Sequence, residues 1–292
     1  MRSDASEAPA KKPVVVFLTG GAWIIGYKMW GTLLARALVP SGVLVIIPDY
    51  RNFPQANVDD MISDVDLAIQ WVMANCGDYG GDPNEVVLVG QSAGAHLGAC
   101  ALLRKINSEL RENSSKSTNT SWKCHDIKGF VPVSGPYNLV AMQDHFHRRG
   151  LDRNIVSAIF SNRIEDYSPT HMLHELQKTF GRNAGKLFPP ICVIHGDADK
   201  SVPHEGAIEF VSCLTDIGAD TTMKLYKGWS HTDPILEAPM DGDQRLHIDI
   251  YNLVKLWTSG ETTMPDFYSE SVYCQRICPA FLIPLGRYCN PF

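Results

Sequence analysis

The sequence predicts an α/β fold with a mostly parallel central sheet and helices on both faces. Three observations predict it. Short, fully apolar, β-branched runs recur along the chain, segments with helical spacing separate them, and Gly- or Pro-rich breaks punctuate the joins. Strands that are apolar on both faces are strands covered on both faces, which is the habit of parallel sheets.

The elements follow in chain order. Pro13 to Leu18, PVVVFL, reads as a buried strand that ends in Thr-Gly-Gly. Leu44 to Pro48 is the second such run. Val58 to Ala74 is a helix, because Val58, Met61, Ile62, Val65, Ile69 and Val72 recur at three and four. Gly80-Gly81-Asp82-Pro83 breaks the chain before a third strand, Val86 to Val89, and a helix from Ala93 to Ile106. Ile127 to Val133, Ile191 to His195 and Met223 to Tyr226 are the remaining strands. Helices are expected from about His204 to Thr215 and from about Gln244 to Thr258. Glu109 to Lys123 is polar and reads as a surface loop. Tyr137 to Phe188 has helical pieces without a strand pattern, as an inserted cap over the carboxyl edge of the sheet would. Residues 1–12 form a polar tail, 13–260 the folded domain, and 261–292 a Pro- and Tyr-rich tail with no regular fold assigned.

Bulk properties remove several function classes. The 292 residues are 45% apolar and 20% charged, with a net charge of -6, which leaves no basic footprint for nucleic acid. The N-terminus lacks the apolar core of a secretory signal, and no run reaches the roughly 18 apolar residues of a membrane span, so the chain reads as soluble. The eight cysteines show no paired CxxC spacing and read as reduced thiols; the Cys274–Cys278 spacing is not read as a metal site. Sequons at Asn113 and Asn119 fall in a Ser/Asn-rich stretch where they arise by chance. The terminal Cys289-Asn290-Pro291-Phe292 fits a C-a-a-X box in form, with poor residues at both central positions.

Chemistry concentrates in four loops, each following a strand. Gly90-Gln91-Ser92-Ala93-Gly94 matches G-x-S-x-G between a strand and a helix, the context of a nucleophile elbow. A serine hydroxyl needs a histidine base, a carboxylate behind that base, and donors for the oxyanion. Thr19-Gly20-Gly21-Ala22-Trp23 follows the first strand, where esterases carry an HGGG-type loop, so the amides of Gly21, Ala22 and Ala93 are the candidate oxyanion donors. His195-Gly196-Asp197-Ala198-Asp199 follows the fifth strand. The form HGxxDxxVP favours Asp199 as the acid and leaves Asp197 to brace the loop. Of ten histidines, only His231 follows the sixth strand and also comes after Asp199, which makes it the candidate base. His195 and His204 read as structural, His96 as a packing or hydrogen-bonding residue on the nucleophile helix, and His145 and His147 as surface residues of the insertion. The order Ser92, Asp199, His231 is that of the α/β-hydrolase fold.

With these residues assembled, the chain resembles the esterase group related to hormone-sensitive lipase, and more narrowly the isoprenylcysteine α-carbonyl methylesterases. The resemblance rests on TGGAWIIGYKMWG (Thr19–Gly31), DYRNFPQ (Asp49–Gln55), GGDPNEVVLVGQSAGAH (Gly80–His96), HFHRRGL (His145–Leu151), HGDADKSVP (His195–Pro203) and YKGWSHTD (Tyr226–Asp233). It implies an α/β-hydrolase fold and hydrolysis of the methyl ester on a prenylated C-terminal cysteine, without metal or organic cofactor. Ser92, Asp199 and His231 fall on the family's triad, and Gly21, Ala22 and Ala93 on its oxyanion positions. Trp23, Tyr27, Trp30, Gln91 and Tyr137 are the candidate substrate-lining residues. Such folds usually carry two further strands ahead of the oxyanion-loop strand, and family members carry a hydrophobic upstream segment. Only a dozen residues precede that strand here, so an open sheet edge is expected. The resemblance implies a location at the cytosolic face of endoplasmic reticulum and Golgi membranes. Kynurenine formamidases and feruloyl-esterase-like carboxylesterases share the architecture and form the enzymatic alternative. A ligand-binding receptor on a dead hydrolase scaffold is the alternative of another class, although such receptors commonly lack the serine or histidine present here.

Overall fold

The structure, a computed structural model, describes residues 10–112, 122–260, 276–279 and 281–284. The two sequons, Cys274 and the C-a-a-X tetrapeptide lie outside them. In chain order the elements are β1 (Lys12–Leu18), α1 (Thr32–Leu38), β2 (Leu44–Ile46), α2 (Val58–Asn75), β3 (Gly81–Gln91), α3 (Ala93–Glu112), β4 (Ile127–Val133), α4 (Leu139–Arg148), α5 (Arg153–Ile159), α6 (Pro169–Phe180), β5 (Ile191–Gly196), α7 (Glu205–Ile217), β6 (Thr221–Tyr226), α8 (Glu237–Met240) and α9 (Arg245–Thr258).

The described strands form one sheet in the order β2-β1-β3-β4-β5-β6, with every pair parallel. The period of two along each strand divides the core. Val14, Val16, Leu18, Val86 and Leu88 point to one face and pack under α2, α3, α6 and α7. Val15, Phe17, Val87 and Val89 point to the other, against α1 and α9. Helix α2 buries the predicted stripe and starts at a capping box, in which the Asp60 amide donates to Asn57 Oδ1 and the Asn57 amide to Asp60 Oδ2.

The chain runs outward from β1 to β2, then returns to place β3 on the other side of β1. The loops leaving β1 and β3 therefore diverge, and a crevice opens between them at the carboxyl edge, where open α/β sheets bind ligands. Helices α4, α5 and α6 lie between β4 and β5, in the region predicted as an insertion.

Some elements differ from the sequence expectation. Strand β3 starts at Gly81 rather than Val86: Gly81 pairs with Lys12 and Val86 with Val14, across a register shift that accommodates Pro83. Backbone pairing needs no apolar side chain, so the apolar pattern was blind to it. Helix α1 was not expected, although Leu34, Ala37 and Leu38 carry its buried stripe. Helix α3 continues to Glu112, past the apolar stripe and into the predicted surface loop. Strand β2 stops at Ile46 and forms one edge of the described sheet.

Candidate active site

Ser92 sits on the one-residue turn between β3 and α3, with φ +52°. A non-glycine residue in the left-handed region is uncommon, and here surrounding contacts enforce it. The Ser92 amide donates to Val133 O at 2.8 Å, which ties the elbow to β4. The flanking glycines explain themselves by close approach. A Cβ at Gly94 would lie 2.2 Å from Leu18 O, and one at Gly90 would lie 2.6 Å from Gly94 O. Gly94→Ala must therefore push α3 away from β1. We expect a loss of about 1–3 kcal/mol, seen as a melting temperature lowered by on the order of 5 °C, with reduced turnover in the folded fraction.

The loops after β5 and β6 bring the other two side chains to Ser92. His231 Nε2 is 2.8 Å from Ser92 Oγ, and His231 Nδ1 is 2.7 Å from Asp199 Oδ2. The carboxylate can only accept, so Nδ1 carries the proton and Nε2 is left to accept from the serine. Asp199 Oδ1 accepts from the amides of Ser201 and Val202, each at 2.9 Å. Burial by itself would raise the Asp199 carboxyl. The His231 charge and the N–H groups of His195 and His231 outweigh that and hold it well below the usual carboxylate range. Asp197 instead accepts from the Gly228 amide at 2.5 Å and braces the acid loop against the loop after β6.

His195 has a larger part than the sequence suggested. It is fully buried, its Nε2 is 2.8 Å from Val202 O, and the same atom is 3.2 Å from Asp199 Oδ2, the oxygen that faces His231. His145 also braces this loop, with Nε2 at 3.0 Å from Lys200 O and 3.1 Å from Ser201 O. The His145 contact joins residues that no local pattern links, whereas the His195 contacts lie within the HGDADKSVP stretch itself.

Ser92 and His231 open into a cavity of about 320 Å³. Gly21, Ala22 and Ala93 line the same cavity, and among the described residues none of their three amides has a protein acceptor. Trp23, Trp30 and Gln91 line it. Tyr27 and Tyr137 do not. Two hydrogen bonds to Gly21 O, from the amides of Ile24 and Ile25, turn the loop after β1, and Asn52 clasps Gly26; beyond that point Tyr27 faces solvent. Tyr137 is wholly buried and stacks on Phe210 of α7 at 4.1 Å, so that Pro136 takes the place on the wall. Residues not singled out complete the apolar lining: Ile24, Ile25, Phe146, Leu151 and Val202. Phe146 and Leu151 belong to the HFHRRGL stretch, so a signal was present without a location for it.

Among the described residues no group of three or more His, Cys, Asp or Glu could hold a metal ion, and the free cysteines Cys76, Cys100, Cys124, Cys192 and Cys213 are buried. No described helix is long and apolar enough to cross a membrane.

Isoprenylcysteine alpha-carbonyl methylesterase ICME of Arabidopsis thaliana is 40% identical over 284 residues, covering 96% of this chain and 64% of that protein. The probable isoprenylcysteine alpha-carbonyl methylesterase ICME of Oryza sativa subsp. japonica is 42% identical over 246 residues, covering 83% of this chain and 57% of that protein. The chain thus spans less than two thirds of the length of these curated relatives. In fold it is similar to carboxyl esterase 2 of Tuber melanosporum, with a TM-score of 0.66 at 18% identity, covering 85% of this chain and 80% of that one. The BD-FAE family model matches residues 4–214, from ahead of β1 through Ser92 and Asp199 and into α7. On that match and on its parallel sheet, the chain belongs to the BD-FAE family, with the α/β-hydrolase fold.

Proposed function

We propose that this chain is a serine carboxylic-ester hydrolase that demethylates prenylcysteine methyl esters. The observation that carries the reading is the His231 imidazole bridging Ser92 Oγ and Asp199 Oδ2 at the wall of an apolar cavity. Identity to the isoprenylcysteine methylesterases directs the choice of ester.

The mechanism follows from the arrangement. Ser92 Oγ attacks the ester carbonyl as His231 Nε2 takes its proton. Asp199 holds the imidazole in the reactive tautomer and stabilises the imidazolium. Charge developing on the carbonyl oxygen is met by the amides of Gly21, Ala22 and Ala93. His231 returns the proton to the methoxy group and methanol leaves. Water, deprotonated by His231, then cleaves the acyl-enzyme to the free carboxylic acid and restores Ser92. The isoprenoid chain lies along Trp23, Trp30, Phe146 and Leu151.

The test is hydrolysis of a farnesylcysteine methyl ester beside the same ester without the isoprenoid, N-formylkynurenine and a p-nitrophenyl ester. Burial of the chain in this cavity is expected to give the prenyl ester an advantage in kcat/KM of at least about 10²-fold, the equivalent of about 3 kcal/mol of apolar transfer. Equal rates with and without the chain would exclude the prenyl assignment and favour a general carboxylesterase. A prenyl chain partitions into bilayers at about 0.8 kcal/mol per methylene. We therefore propose that substrate is met at a membrane surface; the family resemblance directs this to the cytosolic face of endoplasmic reticulum and Golgi membranes, to be checked by fractionation.

A further inference from the structure

The loop after β1 holds two consecutive non-glycine residues in the left-handed region, Ala22 at φ +50° and Trp23 at φ +64°. A bulky side chain is a rare occupant of that region and stays there only where its surroundings over-determine it. The backbone contributes one tie, from the Phe53 amide to Trp23 O at 2.9 Å. The indole contributes another. Trp23 Nε1 donates to His96 Nδ1 at 3.1 Å, across 73 residues of sequence and wholly inside the protein.

His96 is four residues past Ser92 on α3, and its own amide donates to Ser92 O. It is fully buried. Its Nε2 is 2.8 Å from Tyr167 O, which can only accept, so the proton is on Nε2 and Nδ1 is an acceptor. The two partners thus select one neutral tautomer. Burial agrees, pushing the imidazole down to about 4. Phe160 of the β4–β5 connection packs edge-on against both rings, 5.1 Å from Trp23 and 5.8 Å from His96. The resulting chain of contacts runs from the candidate oxyanion loop, through one imidazole, to the nucleophile helix and to the segment above the cavity.

Resting on the esterase reading above, we propose that His96 is a positioning residue: its Nδ1 anchors the Trp23 indole and so holds the Gly21 and Ala22 amides toward the reacting carbonyl. Packing alone would be served by an apolar pair. A buried donor and a buried acceptor that satisfy only one another specify one loop geometry, because any other leaves both unpaired.

Two amide substitutions separate anchoring from packing. His96→Asn puts its side-chain oxygen near the Nδ1 position and keeps the acceptor for Trp23. His96→Gln reaches the Nε2 position and keeps only the partner of Tyr167 O. On a p-nitrophenyl ester, His96→Leu, His96→Gln and Trp23→Phe are each expected to lower kcat by on the order of 10²-fold with KM within about twofold, the size of a misplaced or lost oxyanion donor. Affinity for a trifluoromethyl ketone, whose adduct carries the oxyanion, should fall by the same factor. His96→Asn should recover most of both. The Trp23→Phe/His96→Leu double variant should be no worse than either single one. Equal impairment of His96→Asn and His96→Gln, additive effects in the double variant, or an unimpaired Trp23→Phe would overturn the proposal. Trp23→Phe alone decides it if the His96 variants do not fold. A wild type that hydrolyses no ester would overturn the esterase reading and this inference together. An active wild type with unimpaired Trp23→Phe and His96→Leu overturns this inference alone.

Discussion

Replacing Ser92 with alanine is expected to lower kcat for any ester by on the order of 10⁶-fold. The hydroxyl is the only nucleophile within reach of His231 Nε2 in the described site, at 2.8 Å. Loss of the oxygen leaves His231 Nε2 to water while Nδ1 keeps Asp199, and residual rate then comes from binding and the oxyanion amides. The fold should persist. Alanine occupies the same left-handed φ at similar cost, and the Ser92 amide keeps its bond to Val133 O. Steady-state rates, with labelling by a fluorophosphonate and a melting curve, check this. Labelling must vanish in Ser92→Ala and appear in wild type. An unlabelled wild type would instead favour a ligand-binding protein on this scaffold, and labelling that survived in the variant would place the nucleophile elsewhere.

Asp199→Asn is expected to lower kcat by about 10⁴-fold. Asparagine is nearly the same shape, so the geometry survives while the electrostatics reverse. Both His231 Nδ1 and His195 Nε2 face Asp199 Oδ2. An amide in that place presents an N–H where an acceptor is needed, or holds His231 without a charge to stabilise the imidazolium. If the amide nitrogen faces His231, the tautomer flips and Nε2 carries the proton, so it cannot accept from Ser92. The same carboxylate makes a pH-dependent contribution to stability. Its folded pKa is depressed, so the contribution is present above the unfolded value of about 3.9 and is lost as pH falls toward the folded one. The stability gap between wild type and Asp199→Asn should therefore narrow below about pH 4. Denaturant midpoints between pH 7 and pH 3 measure it, and a gap that widened in acid would contradict the depressed carboxyl.

Much of this molecule was readable before any coordinates. The strand PVVVFL was legible because its residues are apolar on both sides of the pleat, and each side meets a different layer of helices. Ser92 was legible because a turn that presses α3 against β1 tolerates only glycine at position 94. His231 was legible by elimination, since chain order and strand context left one histidine in place. Tyr27 and Tyr137 were misplaced for the opposite reason. Aromatic residues near a reactive loop serve a cavity wall, a core stack or solvent equally well, and the sequence does not distinguish them. Helix α1 went unseen although its short stripe was present, and the early start of β3 carried no apolar signal at all.

By itself the sequence determined the alternation of strands and helices, the order of the four chemical loops, and the residue types each loop supplies. These are local properties: a period of two or 3.6, a missing Cβ, a proline. Only the tertiary structure decided that His145 braces the acid loop through Lys200 O and Ser201 O, and that His96 receives the indole of Trp23. Those are single hydrogen bonds between residues far apart in the chain, set by how the sheet and helices pack. No local pattern carries that information, because the partner of a buried polar atom is whichever group the fold brings to it.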